Sequence, residues 1–342
     1  MKRFAHMSPD SLAAATAALR DTGAAPVGGG SDLLGMIKDD LAAPDRLVRL
    51  TQLSGLDTIA PRPGGGVQVG GMITLSALSR HPVIRDRYAV LAEAAGSVGT
   101  PQIRNAGTLA GNLTQRPWCW YFRQGFPCYK HGGTRCFSRT GENQFNAILG
   151  GGPSFIVHPS DTAPALVALD AQIHIVGDAG DRWLPIREFF VLPSEDVSRE
   201  NVLRPGEIVT ELALPPRPGA RSVYTKVRDR EAWTHAVVST AVVLTLDDDG
   251  DDPGVCRRAA IALGGVAPIP WRVAAVERLL VGKRLTPELA AAAGAVALPG
   301  IQRVGEPIDV RGLFMTGRLP KTFGCSSGFS RVRSPHTSRQ RQ

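Results

Sequence analysis

Hydrophobic positions in this chain fall into short blocks broken by glycine and proline. Residues 8–19 read as a helix, because Ser8 or Asp10 can cap it and an alanine-rich face follows. Residues 25–27 form a short strand that runs into three glycines, and Leu33, Leu34, Met36 and Ile37 then recur at helical spacing. Residues 47–50 are a second strand and 53–56 a turn. Residues 66–70 alternate like a strand, 74–79 start a helix capped at Thr74 or Ser76, and 88–97 form another helix ended near Gly99. After the run 104–112 comes a loop of about 40 residues, too long for an ordinary connection in a compact domain, and so functional or disordered. Strands are expected at 155–157 and 173–176, with a helix at 161–169. Beyond Pro215-Pro216, the segments 222–227, 237–246 and 258–263 read as antiparallel strands with an acidic turn at 247–252. Helices follow at 273–280 and 287–296. No internal repeat is present.

Composition confirms a folded chain. Of its 342 residues 43% are hydrophobic and 20% charged, which excludes a disordered protein and suits two or three domains. No run of about 18 apolar residues exists to span a membrane. The first twenty residues lack a continuous apolar stretch before a cleavage site, so no signal peptide is expected. The net charge of +8 misleads until it is located. Residues 311–342 carry seven Lys/Arg and no acid, leaving the rest almost neutral. The body therefore offers no basic track, and no nucleic-acid partner is expected. A solvated terminus accounts for the tail.

Five segments carry candidate chemistry. In the first, Gly28, Gly29 and Gly30 lie between a strand and a helix, where they let backbone approach a diphosphate while the amides of Ser31, Asp32 and Leu33 point at anionic oxygens. Leu33 occupies the place where a Rossmann fingerprint needs a small residue. A flexible turn is the other reading. In the second, Thr108, Gly111 and Asn112 either bind ribose or phosphate, or simply cap a turn. In the third, Ser160 or Asp161 can cap a helix or accept from a sugar; His158 stands too close in sequence to complete a Ser-His-Asp relay. In the fourth, Cys119, Cys128 and Cys136 are spaced C-x8-C-x7-C on an aromatic loop. That spacing disfavours structural zinc and leaves an iron–sulfur cluster or three free thiols. In the fifth, Tyr224 and Lys226 alternate on a strand, as a solvated face or as a lysine over a diphosphate or flavin.

Taken in order, the motifs at 28–34, 102–112, 158–161, 206–208, 226–230 and 262–267 resemble the FAD-binding medium subunits of the molybdenum hydroxylases, the xanthine dehydrogenase, carbon monoxide dehydrogenase and aldehyde oxidoreductase group. The resemblance covers about residues 1 to 300. The cysteine insert is similar to the subclass that also carries a [4Fe-4S] cluster, nearest to the periplasmic aldehyde oxidoreductase. Two departures stand out. Ser154 occupies the position of that subclass's fourth cluster cysteine, where it would be a rare, hard ligand, and Cys325 is a weak substitute. The tail also replaces the helical segment with which the family usually ends, as an altered reading frame would.

The resemblance implies an α+β fold: two α/β subdomains forming a non-Rossmann, PCMH-type FAD-binding domain, plus a C-terminal α+β domain with an antiparallel sheet. The expected divisions are 1–60, 61–215 with the insert at 117–154, 216–305, and a basic tail at 306–342. FAD would be held by Pro26, Val27, Gly28, Gly29, Gly30, Ser31, Asp32, Leu33 and Leu34, with Thr108, Gly111, Asn112, Asp161, Ile208 and Lys226 as further contacts. The metal ligands would be Cys119, Cys128, Cys136 and Ser154. The implied partners are a molybdopterin-binding large subunit, a [2Fe-2S] small subunit and an external electron acceptor. No side chain need be catalytic, and the chain alone should not act on the substrate, most simply an aldehyde. The compartment would be the cytoplasm, or the periplasm by co-export with a signal-bearing partner. Two other classes stand beside this one: a stand-alone FAD oxidoreductase and a zinc-stabilised nucleotide-binding module.

Overall fold

The computed structural model describes residues 1–230, 234–249 and 252–297; the basic tail and Cys325 lie outside the described residues. Three sheets carry the fold. The first is parallel, with β1 (Ala5–Met7), β2 (Ala24–Val27) and β3 (Arg46–Arg49) in the order β1-β3-β2. The second is antiparallel, built from β4 (Ile59–Pro61), β5 (Val67–Gly70), β6 (Gln172–Gly177), β7 (Gly180–Pro185) and β8 (Ile208–Leu214) in the order β4-β5-β8-β6-β7. The third is also antiparallel: β9 (Ala220–Val227), β10 (Val238–Asp249), β11 (Asp252–Gly264) and β12 (Trp271–Arg272), ordered β12-β11-β10-β9. The parallel sheet among these has only three strands, so this is not the six-stranded Rossmann arrangement.

Between β5 and β6 lie several short helices, and threonine caps start some of them. Thr74 accepts from Ala77 N (3.1 Å), Thr100 from Ile103 N (3.3 Å) ahead of Pro101, and Thr108 from Gly111 N (3.2 Å). Each cap satisfies an amide that the first helical turn leaves without a partner. The main core joins these helices to the second sheet through Leu78, Ile84, Leu91, Leu166, Ile173 and Leu212.

The third sheet is buried on both faces by a period of two. Ala241, Val243, Ala260 and Ala262 join the main core, against the helix Thr162–Ala168. Val238, Leu244, Ile261 and Leu263 join a second cluster that includes Val276 and Leu280 of the helix Ala274–Leu280 and Ala293 of the helix Pro287–Val296.

Some expectations change. Ser11, not Ser8 or Asp10, caps the first helix, accepting from Ala14 N at 3.3 Å. Residues 155–157 are not a strand: Phe155 O accepts from Ala147 N (2.9 Å) and His158 N donates to Ala267 O (3.0 Å), so two loops hold the segment. The segment from Thr108 to Asn112, which could simply cap a turn, instead opens a helix, Leu109–Thr114, with Thr108 as its cap. β8 escaped notice because six of its seven residues are buried, which removes the alternation that marks a half-exposed strand.

Asp170 ties the third sheet to the helix Thr162–Ala168. It follows the helix Thr162–Ala168 at positive φ (49°), and its carboxylate meets Arg272 (2.8 Å), Arg217 (3.0 Å) and Arg258. Burial alone would raise its pKa; the guanidiniums of Arg272 and Arg258 outweigh that and hold it below the ordinary carboxylate value. The stabilisation is therefore present above the unfolded-state pKa and is lost as pH falls through the lower folded value. A third of the side chain is exposed, which weakens the pairs. Asp170→Asn should cost about 1–2 kcal/mol after that screening, read as a lower urea midpoint at pH 7.

Candidate functional site

A cavity of about 730 Å³ opens between the turn after β2, the helices Pro101–Ala106 and Leu109–Thr114, the segment 157–161 and the β9–β10 connection. That volume suits a sizeable small-molecule ligand. Two small-residue walls meet there at close range. A Cβ on Gly29 would stand 1.7 Å from Ala106 O, and one on Gly28 2.7 Å from Thr108 Oγ1, so neither position has room for a side chain. Gly30 adopts φ +71°, which an L side chain rarely takes.

Gly29, Gly30, Ser31, Asp32, Leu34, Thr108, Gly111, Asn112 and Asp161 all line this cavity. The other expected contacts do not. Pro26 and Val27 lie within β2, Gly28 backs onto Thr108, and Leu33 packs with the cluster of Val27, Ile37 and Leu47. Ile208 is buried in the second sheet opposite Val176. Lys226 stands behind the wall: its Nζ donates to Asp161 Oδ2 (2.6 Å) and Ser97 O (3.2 Å), with about 4% of the side chain exposed. Tyr224 OH donates to Asp161 Oδ1 (2.7 Å). Burial first, and the Asp161 charge next, push the Tyr224 phenol well above its usual pKa. Asp161 thus forms no side-chain helix cap, and the Tyr224–Lys226 face is not solvated.

Asp32 also takes an unexpected role. Both its carboxylate oxygens are engaged at the entry to the cysteine insert, Oδ1 by Arg123 Nη2 inside it (2.8 Å) and Oδ2 by Arg116 N just before it (2.9 Å). The insert supplies part of the cavity wall through Trp118, Trp120, Arg123 and Phe145. Sequence reasoning places no ligand contact on these residues; the density of aromatics in the loop is the signal that could have found them. A second anchor holds the insert from outside. Lys130 Nζ, almost fully buried, pairs with Glu200 (2.7 Å) and donates to Arg199 O (3.0 Å).

Ser160 Oγ donates to Asn112 Oδ1 (2.6 Å), so it is not a nucleophile paired with His158. His158 lies between Leu113 O (3.2 Å from Nε2) and Ser160 N, which donates to Nδ1 (3.4 Å). These partners assign a neutral ring with its proton on Nε2. Burial pushes its pKa down to about 4.

The cysteines share one region. Cys119 and Cys128 sit in an apolar cluster with Met36, Phe122 and Ile156, while Cys136 Sγ lies 3.0 Å from Ser138 Oγ and accepts from Phe155 N (3.5 Å). Buried Ser154 directly precedes Phe155. Asn146 Nδ2 approaches Cys119 Sγ at 3.7 Å. Burial raises the Cys119 pKa, which disfavours the thiolate a metal needs. Among the described residues, no three His, Cys, Asp or Glu side chains converge on a site that could hold a metal ion.

The family described as the FAD binding domain in molybdopterin dehydrogenase matches residues 2–217, and the CO dehydrogenase flavoprotein C-terminal domain matches residues 222–307. The chain belongs to the FAD-binding medium subunits of the molybdenum hydroxylases. It is 35% identical to the aldehyde oxidoreductase FAD-binding subunit PaoB of Escherichia coli, over 82% of this chain and 86% of that protein. It is 28% identical to the nicotinate dehydrogenase FAD-subunit of Eubacterium barkeri, over 84% and 83%. The solved carbon monoxide dehydrogenase from Hydrogenophaga pseudoflava superposes with a TM-score of 0.70 at 25% identity, covering 93% of this chain and 94% of that one.

As a medium subunit the chain is an oxidoreductase component that binds FAD. The cavity fits that cofactor: two walls stripped of side chains where the backbone must come close, a buried polar row at Asn112, Ser160 and Asp161, and enough volume for a dinucleotide. Gly29→Ala should force the two walls apart and lower the retained FAD about tenfold or more; the 450 nm absorbance per chain measures it. His158 makes a pH prediction. Below pH 6.5 the unfolded imidazole binds a proton that the folded one refuses until about pH 4. Stability attributable to His158 should therefore fall by about 2 kcal/mol between pH 7.5 and pH 5. Urea unfolding of His158→Gln should show a correspondingly shallower loss than the unsubstituted chain.

Proposed function

We propose that this chain is the FAD-carrying electron-transfer subunit of a molybdenum-dependent aldehyde oxidoreductase. The observation that carries the FAD role is the cavity between the glycine turn and the Thr108–Asn112 wall. The aldehyde rests on the 35% identity to PaoB and on the cysteine insert. Bound FAD would supply the redox chemistry, taking electrons from iron–sulfur centres and releasing them to an outside acceptor. The chain's own residues bind and orient. The amides of Ser31 and its neighbours would hold the diphosphate, and Thr108 keeps the second wall in place by capping its helix. Asn112, fixed by Ser160 and Thr162, and Asp161, fixed by Tyr224 and Lys226, present polar atoms to the rest of the dinucleotide. Oxidation of the aldehyde would belong to a molybdopterin-binding partner, and electrons would arrive through a [2Fe-2S] partner.

The proposal extends to the insert, read as a [4Fe-4S] element with Cys119, Cys128 and Cys136 as thiolate ligands and Ser154 in the fourth place. It also extends to the domain divisions at 60, 215 and 305, and to a cytoplasmic site or co-export with a signal-bearing partner. The test is anaerobic purification with the genomic neighbours, followed by FAD, iron, sulfide and zinc analysis. One FAD per chain is expected, with aldehyde bleaching the flavin in the complex and not in the isolated chain. Cys128→Ala should lower iron by about four per complex if the insert holds a cubane. Unchanged iron would remove the cluster from the reading. Bleaching by the isolated chain would make it a stand-alone oxidoreductase, and zinc without flavin would make it a nucleotide-binding module.

A further inference from the structure

Arg123 belongs to the cysteine insert, yet its side chain is built into the glycine turn. Nη2 donates to Asp32 Oδ1 and to Arg116 O, both at 2.8 Å, and Nε donates to Pro117 O at 2.8 Å. The guanidinium lies 4.4 Å from the centre of the Trp118 ring. Only 11% of the side chain is exposed. Nη1 has no partner among the described residues, and Arg123 lines the cavity together with Ser31 and Asp32.

The charges give this arrangement a purpose. The turn 28–34 contains no cation, and the Asp32 carboxylate sits where it would repel an anionic ligand. Arg123 cancels that charge and still has one N–H edge left over. The three hydrogen bonds from Nε and Nη2, with the Trp118 ring against the guanidinium, fix its plane, so that edge has a set direction.

We propose that Arg123 is a cofactor-positioning residue that donates through Nη1 to a phosphate oxygen of bound FAD, making insert packing and FAD binding one linked equilibrium. The proposal rests on FAD occupying this cavity. Linkage is reciprocal: FAD must then order the insert as much as the ordered insert favours FAD.

The test uses the full chain in its complex, stripped of flavin and titrated with FAD. Arg123→Met should weaken FAD binding about 10- to 100-fold, the range for one lost charge-assisted hydrogen bond. Arg123→Lys should not restore it, because an ammonium cannot make the same set of planar bonds. Affinity in the unsubstituted protein should fall with salt more steeply than in Arg123→Met, which a purely structural role would not produce. FAD should slow tryptic cleavage at the exposed Arg135 and Arg139 in the unsubstituted protein and not in the variant. If Arg123→Met fails to assemble, Arg123→Gln keeps a donor to Asp32 and removes the charge. Unchanged FAD affinity in whichever variant assembles, or tryptic cleavage indifferent to FAD in the unsubstituted protein, overturns the proposal. Gly29→Ala separates the two readings: if it binds FAD normally, the cavity assignment itself fails.

Discussion

The buried ion pair between Lys226 and Asp161 sets how the parts of this protein meet. Lys226 comes from β9 and Asp161 from the segment that precedes the helix Thr162–Ala168, so the pair crosses from the third sheet to the wall of the cavity. Both side chains are about 5% exposed or less, where desolvation opposes each charge. Each carboxylate oxygen has a partner, one in Lys226 and the other in the Tyr224 hydroxyl. Tyr224 N in turn donates to Glu93 Oε2 (2.7 Å), so the same strand is locked to the helix Ala89–Gly96. Movement of β9 would expose or orphan several of these groups at once. That makes the interface specific as well as apolar.

The cavity follows from this fixed frame and from the absence of side chains. Gly28 and Gly29 abut the turn at 106–108 without space for a Cβ, which brings the first sheet's turn against the second wall. Asp170 repeats the clamp at the far end of the helix Thr162–Ala168, where Arg217, Arg258 and Arg272 converge. One short helix therefore carries a charged tie at each end, both reaching the third sheet or the chain leading to it. The cofactor space lies at the Asp161 end. Its geometry depends on that sheet even though the glycine turn and the Thr108 helix are in the preceding domain.

The insert is integrated into the same frame rather than appended to it. Asp32 receives its entry, Glu200 receives Lys130, and Trp118, Trp120 and Phe145 face the cavity. These contacts join the flavin turn to the cysteines by protein groups alone.

Much of this is legible in the order of the residues. The ordered motifs carry family membership because each reports a local backbone need: glycine where no Cβ fits, threonine where a helix requires a cap, alternation where a sheet is covered on one face. Those needs act within a few residues, so the sequence by itself determined them. It also determined the non-Rossmann character, through Leu33. What it left undecided was every partnership over long separation. Asp161 and Lys226 read as separate ligand contacts, and Asp32 as part of a phosphate turn. β8 was invisible because burial on both faces erased its pattern. Charge pairing and double-sided burial depend on which distant segments the fold brings together, and only the tertiary structure decided that Asp161 meets Lys226 across 65 residues and Asp32 meets Arg123 across 91.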